Sequence, residues 1–224
     1  ELDNTVIVFL ADNGAEALDV ETTGAQMLAA PLKGADNGFA NRGTASSYLT
    51  YGAGWAQAAT APSWLTKGYQ SEGGTRAVAF ISGAGIVARK GAETQYLSVA
   101  DIAPTLLDLA GADAKATQIA GRKVVPITGR SWAAWLKNAD ARVYGDDDGV
   151  GAELFGSRAY RRGDWKLTDI GDGIWRLFDI ARDPGETRDL SLAEPDRQAE
   201  LAAAWDRYAQ DVGVILPDAI PYRP

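Results

Sequence analysis

Two residue types are missing from this chain altogether: it contains no cysteine and no histidine. Without cysteine there is no disulfide framework, no thiolate zinc site and no thiol nucleophile. Without histidine there is no Ser-His-Asp triad, no imidazole base and no His-ligated metal. Any metal held by these residues binds through oxygen, which favours a hard cation such as calcium or magnesium. Positive charge is also short: 22 Lys and Arg face 30 Asp and Glu, a formal balance of −8. No basic stripe of the kind that tracks a phosphate backbone occurs, so nucleic acid is not an expected partner. No apolar stretch approaches the roughly 20 residues of a membrane span. Methionine occurs once, at Met27, and a core-like run begins within five residues of the start. The expectation is a piece cut from something larger, with no leader pattern and no readable compartment.

What is present suffices for a sizeable core, since 46% of the 224 residues are hydrophobic. Residues 5–10 (TVIVFL) are β-branched and aromatic, as in a strand buried on both faces of a parallel or mixed sheet. Such a strand needs neighbours that nothing before it can supply, a second sign of a truncated α/β sheet. Residues 15–51 have poor periodicity and recurrent Gly, Asn and Asp, which suits a functional or disordered segment. Residues 53–60 (AGWAQAAT) predict a short helix stopped by Pro62. Residues 76–82 (RAVAFIS) predict a second buried strand and residues 94–99 a third. Residues 101–109 (DIAPTLLDL) predict a helix with Asp101 as N-cap, Pro104 in the first turn and Gly111 as the stop. Ile102, Leu106 and Leu109 fall on one of its faces. Ser131 is the expected cap of a short helix carrying Trp132, Trp135 and Leu136.

After the Gly/Asp-rich stretch 145–151 the pattern changes. Residues 154–161, 165–169 and 175–180 read as short strands joined by turns at 162–164 and 171–173, an antiparallel meander. Residues 195–212 predict a helix with Leu201, Trp205, Tyr208 and Val212 facing that sheet. The expected organisation is an α/β part over residues 1–150 and a small α+β unit over residues 151–224. The tryptophans fall mostly within helix and strand patterns and read as core.

Four segments can carry chemistry. Asp12-Asn13-Gly14 lies just past the first strand, where ligands bind in open α/β sheets. It offers a carboxylate and a carboxamide oxygen to a hard cation, although the same triplet is also an ordinary turn. Lys67, among small and aromatic residues, is either a solvated surface group or a compact cation for an anionic ligand. Glu72-Gly73-Gly74-Thr75-Arg76 is a strand-entry turn that can also present backbone N–H groups to an anion. Asp146-Asp147-Asp148-Gly149 lacks the alternating spacing of a calcium loop and reads as a solvated turn.

The order of the blocks says more than any one of them. TVIVFLADNGA, YGAGWAQAATAPSWLTKGYQSEGGTRAVAF, DIAPTLLDLAG, GRSW, ELFGSRAYRRGDWKL and WRLFDIARDPGETRDL follow one another. The series closely resembles the C-terminal portion of bacterial arylsulfatases, formylglycine-dependent type I members of the alkaline-phosphatase-like superfamily, over residues 5–214. The resemblance implies an α/β fold: a truncated part of an alkaline-phosphatase-like mixed sheet with helices, plus a C-terminal antiparallel sheet packed on one helix. It also implies a mechanism. A cysteine in a C-x-P-x-R motif is oxidised to formylglycine, whose hydrated aldehyde attacks the sulfur of a sulfate ester and then eliminates sulfate. One divalent cation, calcium first and magnesium second, positions the nucleophile and polarises a sulfate oxygen.

Two cation ligands of the family come from an aspartate pair in its N-terminal half, and the other two match Asp12 and Asn13. Lys67 matches the lysine of the A-P-S-x-L-x-K block, which binds a sulfate oxygen; such a charge-assisted bond is worth roughly 1.5–3 kcal/mol. Gly14, Glu72 and Arg76 match positions that support the site. Ala11 departs from the serine of many relatives without touching a ligand. The C-x-P-x-R nucleophile motif, the first aspartate pair and the family's histidines are not in this chain. The expectation is therefore the C-terminal part of an arylsulfatase, inactive alone, whose partners are a sulfate ester and the N-terminal half of the same enzyme. One alternative is a non-catalytic module that binds sulfated ligands or another protein. Another is a related phosphatase, phosphonate hydrolase or phosphomutase, but two-metal members carry Asp-His where this chain has Asp12-Asn13. An isolated chain of this kind is expected to expose apolar strand edges.

Overall fold

A computed structural model describes residues 1–19, 32–50 and 52–218. Met27 and part of the irregular stretch 15–51 lie outside the described residues. In chain order the elements are β1 (Val6–Leu10), α1 (Gly52–Thr60), α2 (Glu72–Thr75), β2 (Ala79–Gly83), α3 (Ile102–Leu109) and β3 (Gln118–Ile119). Then come β4 (Arg122–Lys123), α4 (Ala133–Lys137), β5 (Gly149–Leu154), β6 (Ser157–Arg162), β7 (Trp165–Asp169), β8 (Arg176–Asp179) and α5 (Pro195–Val212). The chain divides into two compact units, each assembled from separate stretches: Glu1–Phe9 with Ala79–Asp148, and Leu10–Val78 with Gly149–Pro224. No helix among the described residues is long and apolar enough to cross a membrane.

Among the described residues β1 pairs with β2 alone. The Ala84 N–H donates to the Thr5 carbonyl and the Ala11 N–H to the Val78 carbonyl, so the two strands run in opposite directions. Phe9 stacks on Phe80 with ring centroids 5.2 Å apart. The apolar run of β1 predicts burial on both faces, yet Ile7 and Phe9 are 46% and 51% exposed and Phe80 is similar. The physical reason is that each strand has one ladder neighbour among the described residues and no second layer over these side chains.

Residues 94–99 do not form the expected third strand. Ser98 instead opens a 3-10 turn, Val99–Asp101, with a reciprocal cap. The Ser98 hydroxyl accepts from Ala100 N–H, and the Asp101 carboxylate accepts from Ser98 N–H. Asp101 is fully buried and makes no side-chain cap to α3. Its carboxylate instead accepts from the backbone of Ser98 and Arg130, the Tyr144 hydroxyl and the Trp132 indole, at 2.8 to 3.1 Å. A buried carboxylate with four donors is fully satisfied, and here it ties three loops together. Leu106 is exposed rather than inward; α3 turns Pro104 and Thr105 inside, where the Thr105 hydroxyl donates to Asp101 and accepts from Trp132 N–H. Trp132, Trp135 and Leu136 form the buried centre of this unit, with Ile81, Ile102 and Leu109 packed against it. Ser131 serves the start of α4 by accepting from Ala133 N–H.

In the second unit β5-β6-β7-β8 form a four-stranded antiparallel sheet in sequence order. β5 was not expected as a strand, because its glycines read as loop. Those glycines have a packing cause: a Cβ on Gly149 would overlap the Tyr160 hydroxyl, and one on Gly151 would overlap the Tyr208 ring. The expected strand 154–161 is in fact broken at Phe155-Gly156, a two-residue turn with both φ angles positive, +55° and +86°. α5 begins with Pro195 in its first turn and ends at Gly213 in the left-handed conformation. Leu201 and Trp205 are buried, Leu201 packing with Leu167 and Leu177 of the sheet. Tyr208 is half-buried, whereas Val212 is 58% exposed because it lies in the last turn, beyond the sheet. The Arg158 guanidinium lies over both Trp175 and Trp205, 4.5 and 4.8 Å from their centroids, and pairs with Asp169 at 3.0 Å.

Candidate functional site

The site is built on backbone contacts that only glycine permits. Past β1 the chain turns at Asp12-Asn13-Gly14, and the Gly14 N–H donates to the Gly74 carbonyl at 2.9 Å. A Cβ on Gly14 would overlap the Gly73 carbonyl, one on Gly73 the Leu65 carbonyl, and one on Gly74 the Tyr69 carbonyl. Three segments therefore approach backbone to backbone: 12–14, 64–69 and 72–74. The Gly73 N–H to Trp64 carbonyl bond (2.9 Å) and the Lys67 N–H to Ala15 carbonyl bond (3.0 Å) complete the lattice. Gly14, Gly73 and Gly74 are buried.

This arrangement brings Asp12, Asn13 and Lys67 to one cavity of about 240 Å³, whose lining also includes Tyr69, Leu154 and Phe155. Asp12 is exposed and Asn13 half-buried. The Asn13 amide nitrogen donates to the Gly14 carbonyl at 3.0 Å, which leaves Oδ1 as the atom able to ligate. The Lys67 ammonium lies 3.2 Å from Glu16 Oε2, while Glu16 Oε1 accepts from Leu18 N–H at 2.9 Å. Lys67 is thus held at its backbone by Ala15 and at its tip by Glu16, both in the segment directly after Asp12-Asn13-Gly14. Glu16 was not singled out from sequence; its place two residues beyond the triplet was the only signal.

The donor chemistry fits a hard divalent cation in kind. Asp12 and Asn13 offer one ionised and one neutral oxygen and no soft atom. In number they are a partial set, since calcium takes about six to eight oxygens. No group of three or more His, Cys, Asp or Glu suited to a metal occurs among the described residues.

Glu72 and Arg76 stand outside the cavity lining. Glu72 opens α2 and is buried, with its Oε1 2.9 Å from the Lys166 ammonium and 3.8 Å from the Arg161 guanidinium. Lys166 also lies 3.1 Å from Glu186 Oε1, and Glu186 Oε2 accepts from the Glu72 N–H at 2.7 Å. Lys166 and Glu186 are both buried. Burial pushes the Glu72 carboxyl up, but Lys166, Arg161 and Arg76 outweigh it and hold Glu72 below its ordinary value. Burial dominates at Glu186, which stays above its ordinary value although Lys166 and the Glu72 N–H oppose the rise. Arg76 is exposed; its N–H closes α2 on the Glu72 carbonyl at 2.8 Å. The Glu72, Lys166 and Glu186 charges anchor α2, and with it Gly73 and Gly74, to β7 and the turn at Glu186. Sequence reading missed Lys166 and Glu186 because a lysine in a strand is expected to send its charge to water.

The acidic run at 146–148 takes no part in this cavity. Asp148 pairs with Arg130 and accepts from Gly145 N–H, and Asp146 pairs with Arg142.

Comparison with known proteins bears on the family and the fold. The sulfatase family profile matches residues 1–112, a span that contains Asp12, Asn13, Lys67, Glu72 and Arg76. The chain is 38% identical over 223 residues to an uncharacterised sulfatase of Schizosaccharomyces pombe, covering 97% of this chain and 40% of that protein. It is 34% identical over 134 residues to an arylsulfatase of Klebsiella aerogenes, covering 58% of this chain and 28% of that protein. The chain thus spans less than half the length of these curated relatives. Among solved structures it resembles Ps i-CgsB, with a TM-score of 0.62 at 20% identity over 94% of this chain and 37% of that one. It also resembles the PsFucS1 sulfatase from Pseudoalteromonas sp., with a TM-score of 0.58 at 17% identity over 93% of this chain and 37% of that one. At such identities the likeness is one of fold: part of the mixed α/β sulfatase fold, with the four-stranded antiparallel sheet packed on α5. The chain belongs to the sulfatase family.

Proposed function

We propose that this chain is the C-terminal part of an arylsulfatase, which hydrolyses a sulfate ester to a phenol or alcohol and inorganic sulfate. The observation that carries the reading is the meeting of Asp12, Asn13 and Lys67 on one cavity, held there by backbone bonds. Asp12 and Asn13 Oδ1 would hold a divalent cation, calcium in the first place and magnesium in the second. When bound, that cation supplies Lewis-acid polarisation and a template for substrate. Lys67 donates to a sulfate oxygen and offsets its charge. Because its backbone and its tip are already held, little reorganisation accompanies binding, and a preorganised donor of this kind acts most strongly as charge shifts in the reaction. Gly14, Glu72 and Arg76 keep the turn and α2 in place without touching substrate.

The sulfatase family typically uses a formylglycine nucleophile, which in this reading is supplied by the part of the enzyme outside this chain, together with the remaining cation ligands. The chain alone is accordingly inactive. The test is hydrolysis of 4-nitrophenyl sulfate by the full-length enzyme and by its Asp12→Ala and Lys67→Ala variants, with bound calcium measured in each. Activity confined to the full-length enzyme, and lost with calcium in Asp12→Ala, supports the reading. Full activity and full calcium content in both variants overturns it.

A further inference from the structure

We infer that Ser157, at the start of β6, and Glu186, in the turn after β8, are positioning residues of the site: they hold the loop that carries Lys67 and so fix that lysine relative to Asp12 and Asn13. This rests on the sulfatase reading above and extends it to residues that stand outside the cavity lining.

The loop from Pro62 to Gly74 links the sheet to the turn at Asp12-Asn13-Gly14. Its backbone holds that turn: the Lys67 N–H donates to the Ala15 carbonyl at 3.0 Å, and the Gly74 carbonyl accepts from the Gly14 N–H at 2.9 Å. The sheet in turn holds the loop by two of its backbone N–H groups. The Gln70 N–H donates to the Ser157 hydroxyl at 2.9 Å, and the Glu72 N–H donates to Glu186 Oε2 at 2.7 Å. A third contact lies at the start of the loop, where a Cβ on Gly185 would come within 2.9 Å of the Pro62 carbonyl. All of these residues belong to one compact unit.

Both acceptors are themselves fixed. Ser157 is buried, and its hydroxyl donates to the Asp169 carbonyl of β7 at 3.1 Å, which orients the lone pair that meets Gln70. Glu186 is buried, and its Oε1 lies 3.1 Å from the Lys166 ammonium, which also pairs with Glu72 at 2.9 Å. This burial is made by the chain's own atoms, so a longer protein around it can only deepen it.

The residue types argue for direction rather than adhesion. A buried ion pair adds little net stability over apolar side chains of the same volume, because desolvation offsets the attraction. Apolar contact permits sliding, whereas a hydrogen bond weakens steeply as its distance and angle change. A lysine that must meet a sulfate oxygen needs that direction, since a misplacement of about 1 Å costs on the order of 100-fold in rate.

The test uses the full-length enzyme and its Ser157→Ala, Glu186→Ala, Glu186→Gln and Leu201→Ala variants, all assayed well below their unfolding midpoints. Leu201→Ala is the control, because it destabilises the same unit by a cavity in the cluster with Leu167 and Leu177. Ser157→Ala and Glu186→Ala are each expected to lose roughly tenfold or more in kcat/KM for 4-nitrophenyl sulfate, with weaker inhibition by inorganic sulfate. Glu186→Gln keeps an oxygen for the Glu72 N–H and stays within about twofold of wild type. Leu201→Ala keeps its kcat/KM however far its midpoint falls. Hydrogen exchange gives a readout independent of turnover: the peptide carrying residues 12–15 loses protection in Ser157→Ala and Glu186→Ala and not in Leu201→Ala. Unchanged kcat/KM and unchanged exchange in folded Ser157→Ala and Glu186→Ala overturn the inference. A loss in Leu201→Ala that matches theirs also overturns it, since the effect is then one of stability. If Glu186→Ala does not fold, Ser157→Ala decides alone. If the wild-type enzyme hydrolyses no sulfate ester, the sulfatase reading fails, whereas the exchange of residues 12–15 still decides whether the sheet positions this turn.

Discussion

Glu16 and Lys67 form an ion pair of 3.2 Å in which the lysine side chain is 43% exposed and the glutamate 31%. A pair this open to water contributes little to stability, of the order of 0–1 kcal/mol. Removing Lys67 therefore separates a kinetic role from a structural one. Lys67→Ala in the full-length enzyme is expected to leave the unfolding midpoint within a few degrees of wild type. It should lower kcat/KM for 4-nitrophenyl sulfate by roughly 10- to 100-fold, the worth of one charge-assisted bond. A large loss of stability with kinetics intact would make Lys67 a structural residue.

Asp12 is exposed, and its side chain makes no hydrogen bond or ion pair with another of the described residues, so its substitution should be felt in ion binding alone. Calorimetric titration of the metal-depleted enzyme with calcium is expected to show weaker binding in Asp12→Ala, with the metal-free unfolding curve unchanged. A chelator should abolish activity of the wild type and added calcium restore it. Calcium affinity equal to wild type in Asp12→Ala would remove this residue from the ligand set.

Gly14→Ala tests the backbone lattice. The added Cβ meets the Gly73 carbonyl, which is itself packed against Leu65 and cannot retreat as a flexible side chain would. Displacement of the Asp12-Asn13 turn follows, so both stability and calcium binding should drop. Gly54→Ala is the control: its Cβ meets nothing within 4 Å in the first turn of α1, and helix propensity favours it by up to about 0.5–1 kcal/mol. Differential scanning calorimetry should move the two variants in opposite directions.

The parts of the site visible in the sequence are those whose chemistry is local. Asp12-Asn13-Gly14 announces a turn by composition and follows an apolar run, and the structure does place it beyond β1, beside the lysine loop. α5 was readable for the same reason, since Leu201 and Trp205 repeat at helical spacing and are buried. What was not readable depends on distant partners. β5 is hidden because Gly149 and Gly151 exist to admit Tyr160 and Tyr208, a requirement that local composition does not express. Residues 94–99 fit a strand until Ser98 and Asp101 are seen to cap a turn. Lys166 and Glu186 belong to the core only because Glu72, far away in sequence, is buried beside them.

That buried triad yields a prediction with a definite pH signature. Glu72 has a lowered value in the fold, so its contribution to stability is present above its ordinary 4.5 and is lost as pH falls through the folded value. Glu186 has a raised value, so its contribution is full below 4.5 and is lost as pH rises through the folded value. Lys166 is the main cause that lowers Glu72, and it also restrains the rise at Glu186. Lys166→Met removes that cation and leaves two buried carboxylates facing each other. Both then behave as Glu186 does, and the variant loses stability as pH rises from about 5 toward neutrality. The expected cost near neutral pH is roughly 3–5 kcal/mol, that of breaking a buried pair by deleting one partner. It should shrink at about pH 5, and Lys166→Met combined with Glu186→Gln should recover part of it. Urea unfolding of the full-length protein across this pH range decides the matter; a loss independent of pH would mean that Lys166 acts through its packing and not through its charge.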